Sequence, residues 1–183
     1  IDYKWYKICD WSWIIKQKQF NFETGIDELI INNISKISAI QRKGRCGRTS
    51  NGKCYRLYTK KELSEFNEET VPEILRSNLC STILLLKILG IKDVINNFDF
   101  VDKPDKFAFI NALNKLYLLG VIDKTGNLMD DDKKIGHKMA KFPLDPIYSK
   151  ILIESIEYES MDIALNLVSI ITANNGNAGD IFI

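Results

Sequence analysis

Two stretches of the chain repeat apolar residues at the spacing of a helix and then meet a glycine. From Asn78 to Leu89, the residues Leu79, Ile83, Leu86 and Leu89 recur three or four positions apart, and Gly90 follows. From Phe107 to Leu119 the pattern returns through Ile110, Leu113, Leu116 and Tyr117, and Gly120 follows. A period near 3.6 lines such residues along one side of a helix, and glycine accepts the left-handed backbone that closes one. Each stretch predicts a helix with one buried side.

Around these helices the chain reads as three segments. Residues 1–66 carry strand signals and short helices. Lys18–Phe22 and Ile26–Asn32 are extended runs on either side of a turn that Gly25 suits. Ile34–Gln41 reads as a helix opened by a serine cap. Cys54–Thr59 reads as a buried, aromatic-rich strand, and Lys60–Phe66 as a short helix. Residues 67–142 hold the two periodic helices, and Val121–Met129 then reads as two short strands around a glycine turn. Helices followed by a small hairpin are the outline of a winged-helix domain, though many small folds share it. Residues 143–183 hold two more helices, one starting at Asp145-Pro146 and running through Ile156, the other Met161–Ala173. Two helices cannot bury their apolar faces alone, so this segment reads as the opening of a bundle. The fold class expected is α/β followed by α.

Charge excludes little here. Lys plus Arg number 25 and Asp plus Glu 24, a net charge of +1, so a surface for nucleic acid has to be local. No apolar run approaches the roughly 18 residues of a membrane span, and no membrane partner is expected. The four cysteines, Cys9, Cys46, Cys54 and Cys80, form no CxxC pair, and His137 is the one histidine. That spacing argues against zinc and for reduced thiols in an intracellular protein, so no metal-ligating residue is assigned.

The stretch with chemistry in it is Gln41-Arg42-Lys43-Gly44-Arg45-Cys46-Gly47-Arg48-Thr49. If it is helical, Gln41, Arg45 and Arg48 fall at i, i+4 and i+7 on one face. Guanidinium groups aimed the same way suit a polyanion, because each presents a planar, permanently charged fork of donors. Glycine costs a helix about 1 kcal/mol relative to alanine. Gly44 and Gly47 therefore point to something that approaches too closely for a Cβ. On charge spacing alone, a solvated basic turn and a phosphate receptor both stay open.

The full pattern Q-R-x-G-R-x-G-R-T resembles motif VI of superfamily 2 helicases, and its leading Gln resembles the DEAH/RHA branch. The likeness continues in order through Gly52–Thr59, Thr70–Leu79, Leu86–Ile91, Phe98–Phe100, Ala112–Gly120 and Met139–Pro146. It covers the chain from about Lys16 to Ile171. The resemblance implies the end of a second RecA-like domain in 1–66, a winged helix in 67–142 and the start of the helical bundle in 143–183. It implies an ATP-dependent RNA helicase that uses NTP with Mg²⁺ and acts on RNA within a ribonucleoprotein such as the spliceosome or a pre-ribosome. A nuclear location and a glycine-patch partner follow from the same resemblance.

By that resemblance Arg45 and Arg48 are arginine fingers on the γ-phosphate, and Gln41 places the phosphate or the attacking water. Gly44 lies in the same nucleotide-contacting set. Asp2 matches the acidic residue that approaches the ribose, with Tyr3 standing where the family usually has Gly. Asp130–Lys133 is an insertion in the wing. The 183 residues contain neither a P-loop nor an Asp-Glu-Ala-His sequence, so the nucleotide is expected to be held by an upstream domain and the isolated piece to be inactive. The other reading is a truncated or degenerate paralogue serving as a non-catalytic binding module. A DNA-binding winged-helix regulator leaves the arginine motif unexplained.

Overall fold

The structure, a computed structural model, describes residues 8–22, 24–48, 50–129 and 134–173. Asp2 and the insertion 130–133 lie outside them. The chain forms two compact units. One holds the described residues up to Gln19 together with Glu28–Arg76; the other holds Phe20–Asp27 and the described residues from Ser77 onward.

The first unit is mixed α/β. Strand β1 (Ile8–Trp11) pairs in parallel with β4 (Lys53–Arg56), in the register Ile8↔Lys53, Cys9↔Cys54, Asp10↔Tyr55 and Trp11↔Arg56. Strands β2 (Ile14–Phe20) and β3 (Asp27–Asn33) make a hairpin. Backbone bonds close it at both ends, Ile34 N to Trp13 O and Asn21 N to Ile26 O, each 2.9 Å. Strand β2 starts four residues before the expected Lys18. Ile14 and Ile15 are both exposed, at 47% and 39%, so the start carries no inside–outside alternation to read.

Helices α1 (Lys36–Arg45) and α2 (Lys60–Glu65) complete this unit. Among the described residues Ile34, Ala39 and Phe66 form a core cluster, with Tyr58 and Leu63 packed against it. Helix α2 opens with a reciprocal cap: Glu62 N donates to Thr59 Oγ1 at 3.1 Å and Thr59 N to Glu62 Oε2 at 2.6 Å. Those bonds to Thr59 lower the Glu62 carboxyl below its ordinary pKa. The expected strand Cys54–Thr59 is corrected: it stops at Arg56, and Tyr55 and Leu57 are 52% and 62% exposed rather than buried. Aromatic content favours a pleated strand but does not by itself bury it.

In the second unit, α3 (Cys80–Ile88) and α4 (Lys106–Leu118) pack together, with Ile83, Leu84, Phe109 and Leu116 fully buried. Both helices end in the same way. Gly90 N bonds Lys87 O and Ile91 N bonds Leu86 O; Gly120 N bonds Tyr117 O and Val121 N bonds Leu116 O. This double closure satisfies the last carbonyls and needs a left-handed residue, which the glycines supply at φ +90° and +69°.

After α4 the expected two-stranded wing reduces to one bridge, Ile122↔Leu128. Helices α5 (Ile135–Met139), α6 (Pro146–Ser155) and α7 (Met161–Ala173) follow. Asp145 caps α6 by accepting from Ile147 N at 2.9 Å, with Pro146 in the first turn. Leu152, Ala164 and Val168 join α6 to α7. Ile163, Leu167 and Ile170 of α7 remain exposed.

Candidate nucleotide-contacting site

The arginine-rich stretch begins on a well-anchored helix. Ser35 caps α1, its Oγ accepting from Ser38 N at 3.1 Å. The hydroxyls of Ser35, Ser38 and Thr70 lie 2.9–3.1 Å apart. The first free N–H groups find partners in the 67–68 backbone, Lys36 N to Asn67 O and Ile37 N to Glu68 O, which removes the usual cost of a bare helix start. Ala39 faces the core. At the other end Arg42, Lys43 and Arg45 crowd the last turn, where cations complement the negative pole of the helix.

The helix ends at Arg45, with Cys46 as its cap. Arg48 therefore does not occupy the i+7 position of a continuing helix, and the expected three-residue helical face is corrected to two residues, Gln41 and Arg45. The physical reason lies between the arginines: Cys46 is buried at 5% exposure, and its N–H and that of Gly47 turn back onto Lys43 O and Gly44 O. Arg48 lies just past this turn, exposed.

Gln41 and Arg45 line an open pocket of about 280 Å³ together with Ser38 and Arg42. Arg42 also donates from Nη1 to Ser12 O at 2.8 Å, which ties α1 to the residue after β1. Gln41, Arg45 and Arg48 are exposed, and no described residue holds their side chains in a hydrogen bond or ion pair. A Cβ added at Gly44 or Gly47 would meet nothing within 4 Å. No described neighbour thus requires glycine at either position.

Among the described residues the pocket is lined by a hydroxyl, an amide and two guanidinium groups, without a carboxylate. Two guanidinium groups suit it to an anion with several oxygens rather than to a cation, and its chemistry is electrostatic. Ser38 and Arg42 were not singled out from the sequence, although 38, 41, 42 and 45 follow the three-to-four spacing of one helix stripe. A second pocket of about 370 Å³, beside Gln17, Asn32, Ser35 and Thr70, has Glu65 and Glu69 in its wall; these carboxylates make it a poor place for phosphate. Asp2 lies outside the described residues. His137 sits half-buried on α5.

No family model matches the chain. Over 162 residues it is 43% identical to the pre-mRNA-splicing factor ATP-dependent RNA helicase prp22 of Schizosaccharomyces pombe, which covers 88% of this chain and 13% of that protein. The crystal structure of the Escherichia coli DExH-box NTPase HrpB shares the fold, with a TM-score of 0.78 at 24% identity over 94% of this chain and 20% of that one. A crystal structure of the Escherichia coli DEAH/RHA helicase HrpB gives 0.80 at 25% identity over 91% of this chain and 20% of that one. The chain thus spans between an eighth and a fifth of the length of these relatives. With the arginine motif and collinear similarity along most of its length, the chain belongs to the DEAH/RHA helicase family and corresponds to a C-terminal portion of such a protein.

Proposed function

We propose that this chain supplies the arginine-finger side of the nucleotide site in an ATP-dependent RNA helicase. The observation that carries the reading is the open pocket holding Gln41 and Arg45, with exposed Arg48 just beyond it. Arg45 and Arg48 approach the γ-phosphate from across a domain cleft, and Gln41 orients the phosphate or the attacking water. Gly44 leaves room for the phosphate. Mg²⁺ bound with the nucleotide would lower the charge on its phosphates, while Gln41, Arg45 and Arg48 hold the phosphate oxygens.

In this reading 1–66 closes a RecA-like domain, 67–142 is a winged helix and 143–183 opens a helical bundle. The nucleotide's other half-site and the hydrolytic step belong to the whole protein. Hydrolysis is coupled there to RNA unwinding or ribonucleoprotein remodelling, and the similarity to the pre-mRNA-splicing helicase prp22 favours pre-mRNA splicing, in the nucleus. A glycine-patch protein is a fitting activator.

The experiment is Arg45→Ala and Arg48→Ala in the full-length protein. Arginine fingers are worth about 10³ or more in rate, so phosphate release is expected to fall by about that factor while RNA affinity changes little. Equal loss of hydrolysis and RNA binding would assign the arginines a structural role instead.

A further inference from the structure

The second pocket of the first unit, about 370 Å³ in volume, is built unlike the Gln41–Arg45 pocket. Its size falls in the range of roughly 300–1,000 Å³ that binding clefts occupy. Ile34 and Phe66, 2% and 4% exposed, give it an apolar floor. Much of its polar wall is paired with itself. The hydroxyls of Ser35, Ser38 and Thr70 bond one another, and Asn32 Nδ2 donates to Gln17 Oε1 at 3.2 Å. The carboxylates of Glu65 and Glu69 also line it. Both residues are exposed, and no described residue gives either side chain an ion pair or a hydrogen bond. Lys36, beside Ser35, does not neutralise them, because its ammonium is engaged by Glu68 at 2.6 Å. Among the described residues no Lys or Arg lines the pocket.

We propose that this pocket docks an arginine side chain from a basic segment of a partner protein. Two carboxylates repel the phosphates of a nucleic acid and attract a cation. A guanidinium presents five N–H donors in a planar fork, which suits carboxylate oxygens better than the point charge of a lysine. Its methylene stem packs on the floor of Ile34 and Phe66 while the charged head stays at the open side. The paired hydroxyls and amides hold the shape of the wall before anything binds, so little ordering has to be offset on docking. The site stands on the lining of this pocket and is independent of the nucleotide reading.

The test is fluorescence anisotropy of the full-length protein with a fluorescein-labelled peptide of Arg-Gly-Gly repeats, at low salt. Saturable binding is expected, weaker for the lysine version and lost for the citrulline version, which keeps the shape without the charge. Glu65→Gln combined with Glu69→Gln is expected to weaken it by at least about tenfold, the loss of one charge-assisted pair. Arg45→Ala is expected to leave peptide affinity unchanged. A peptide carrying one benzophenone side chain is expected to cross-link within 65–71. Equal affinity of the citrulline peptide, undiminished binding in the double glutamine variant, or cross-links confined to other segments would each overturn the proposal. So would an oligouridine RNA whose own binding falls in that variant, because the pocket would then serve RNA. The citrulline and cross-linking results are read on the unsubstituted protein, so a variant that folds poorly does not decide them.

Discussion

Gly44 stands between Lys43 and Arg45 in the last turn of α1. Its added Cβ would have no neighbour within 4 Å, so alanine would bring only its better helix propensity, about 0.5–1 kcal/mol. Gly44→Ala is therefore expected to make this chain more stable by that amount in urea denaturation. In the full-length protein, where phosphate oxygens are proposed to take the open space, the same change is expected to lower kcat/KM for nucleotide about tenfold or more. A stabilised variant with full activity would remove Gly44 from the site. The sequence reads this glycine as room for a close approach. It could not tell that the described residues leave that space open. Arg48 shows a second limit of residue spacing: periodicity places side chains only as far as the helix lasts, and the buried Cys46 ends α1 before Arg48 is reached.

Among elements, the helices were the most legible, because a one-sided apolar period and a closing glycine are both written in the sequence. Helix α3 falls inside its expected span, α4 lies one residue earlier than its own, and α7 matches its own. The turn between Val121 and Met129 was less legible, because a side chain builds it. Asp123 Oδ1 accepts from Thr125 N, Thr125 Oγ1 and Asn127 N at 2.6–2.9 Å, and these bonds hold its carboxyl below the ordinary range. With the loop organised around one carboxylate, a single bridge suffices where two strands were expected. Helix α5 then packs closely on this turn at Gly136, where an added Cβ would lie 3.0 Å from both Leu128 Cδ1 and Val121 Cγ1. Val121 is buried at 1% exposure and has little room to yield. Gly136→Ala is expected to destabilise the chain by about 1–3 kcal/mol, the usual cost of overpacking, seen as a lower denaturation midpoint at unchanged slope. A neutral outcome would mean that α5 can lift off the turn without loss.

At the scale of the molecule, the net charge of +1 hid the local feature that matters, since carboxylates elsewhere cancel the arginines of α1 in the sum. The same sum does not weaken the site, because charges well apart are screened over about 8–10 Å at ordinary salt, and among the described residues the wall of the Gln41–Arg45 pocket has no carboxylate. Cations and an amide can stabilise negative charge as it develops, but they cannot cradle a triphosphate, ligate Mg²⁺ or take a proton from water. Nor do the 183 residues contain a P-loop sequence that could do the first of these. The purified chain with ATP and Mg²⁺ is thus expected to release phosphate no faster than the buffer blank in a malachite-green assay. A longer polypeptide that adds a phosphate-binding loop and an acidic Mg²⁺ site is expected to turn over, and to stop when Arg45 is replaced by alanine. Robust hydrolysis by the 183 residues alone, retained in Arg45→Ala, would place the chemistry on groups outside the arginine stretch and end the half-site reading. Hydrolysis by the longer polypeptide that survives the loss of both Arg45 and Arg48 would end it equally, because an electrostatic half-site has no other means of contributing.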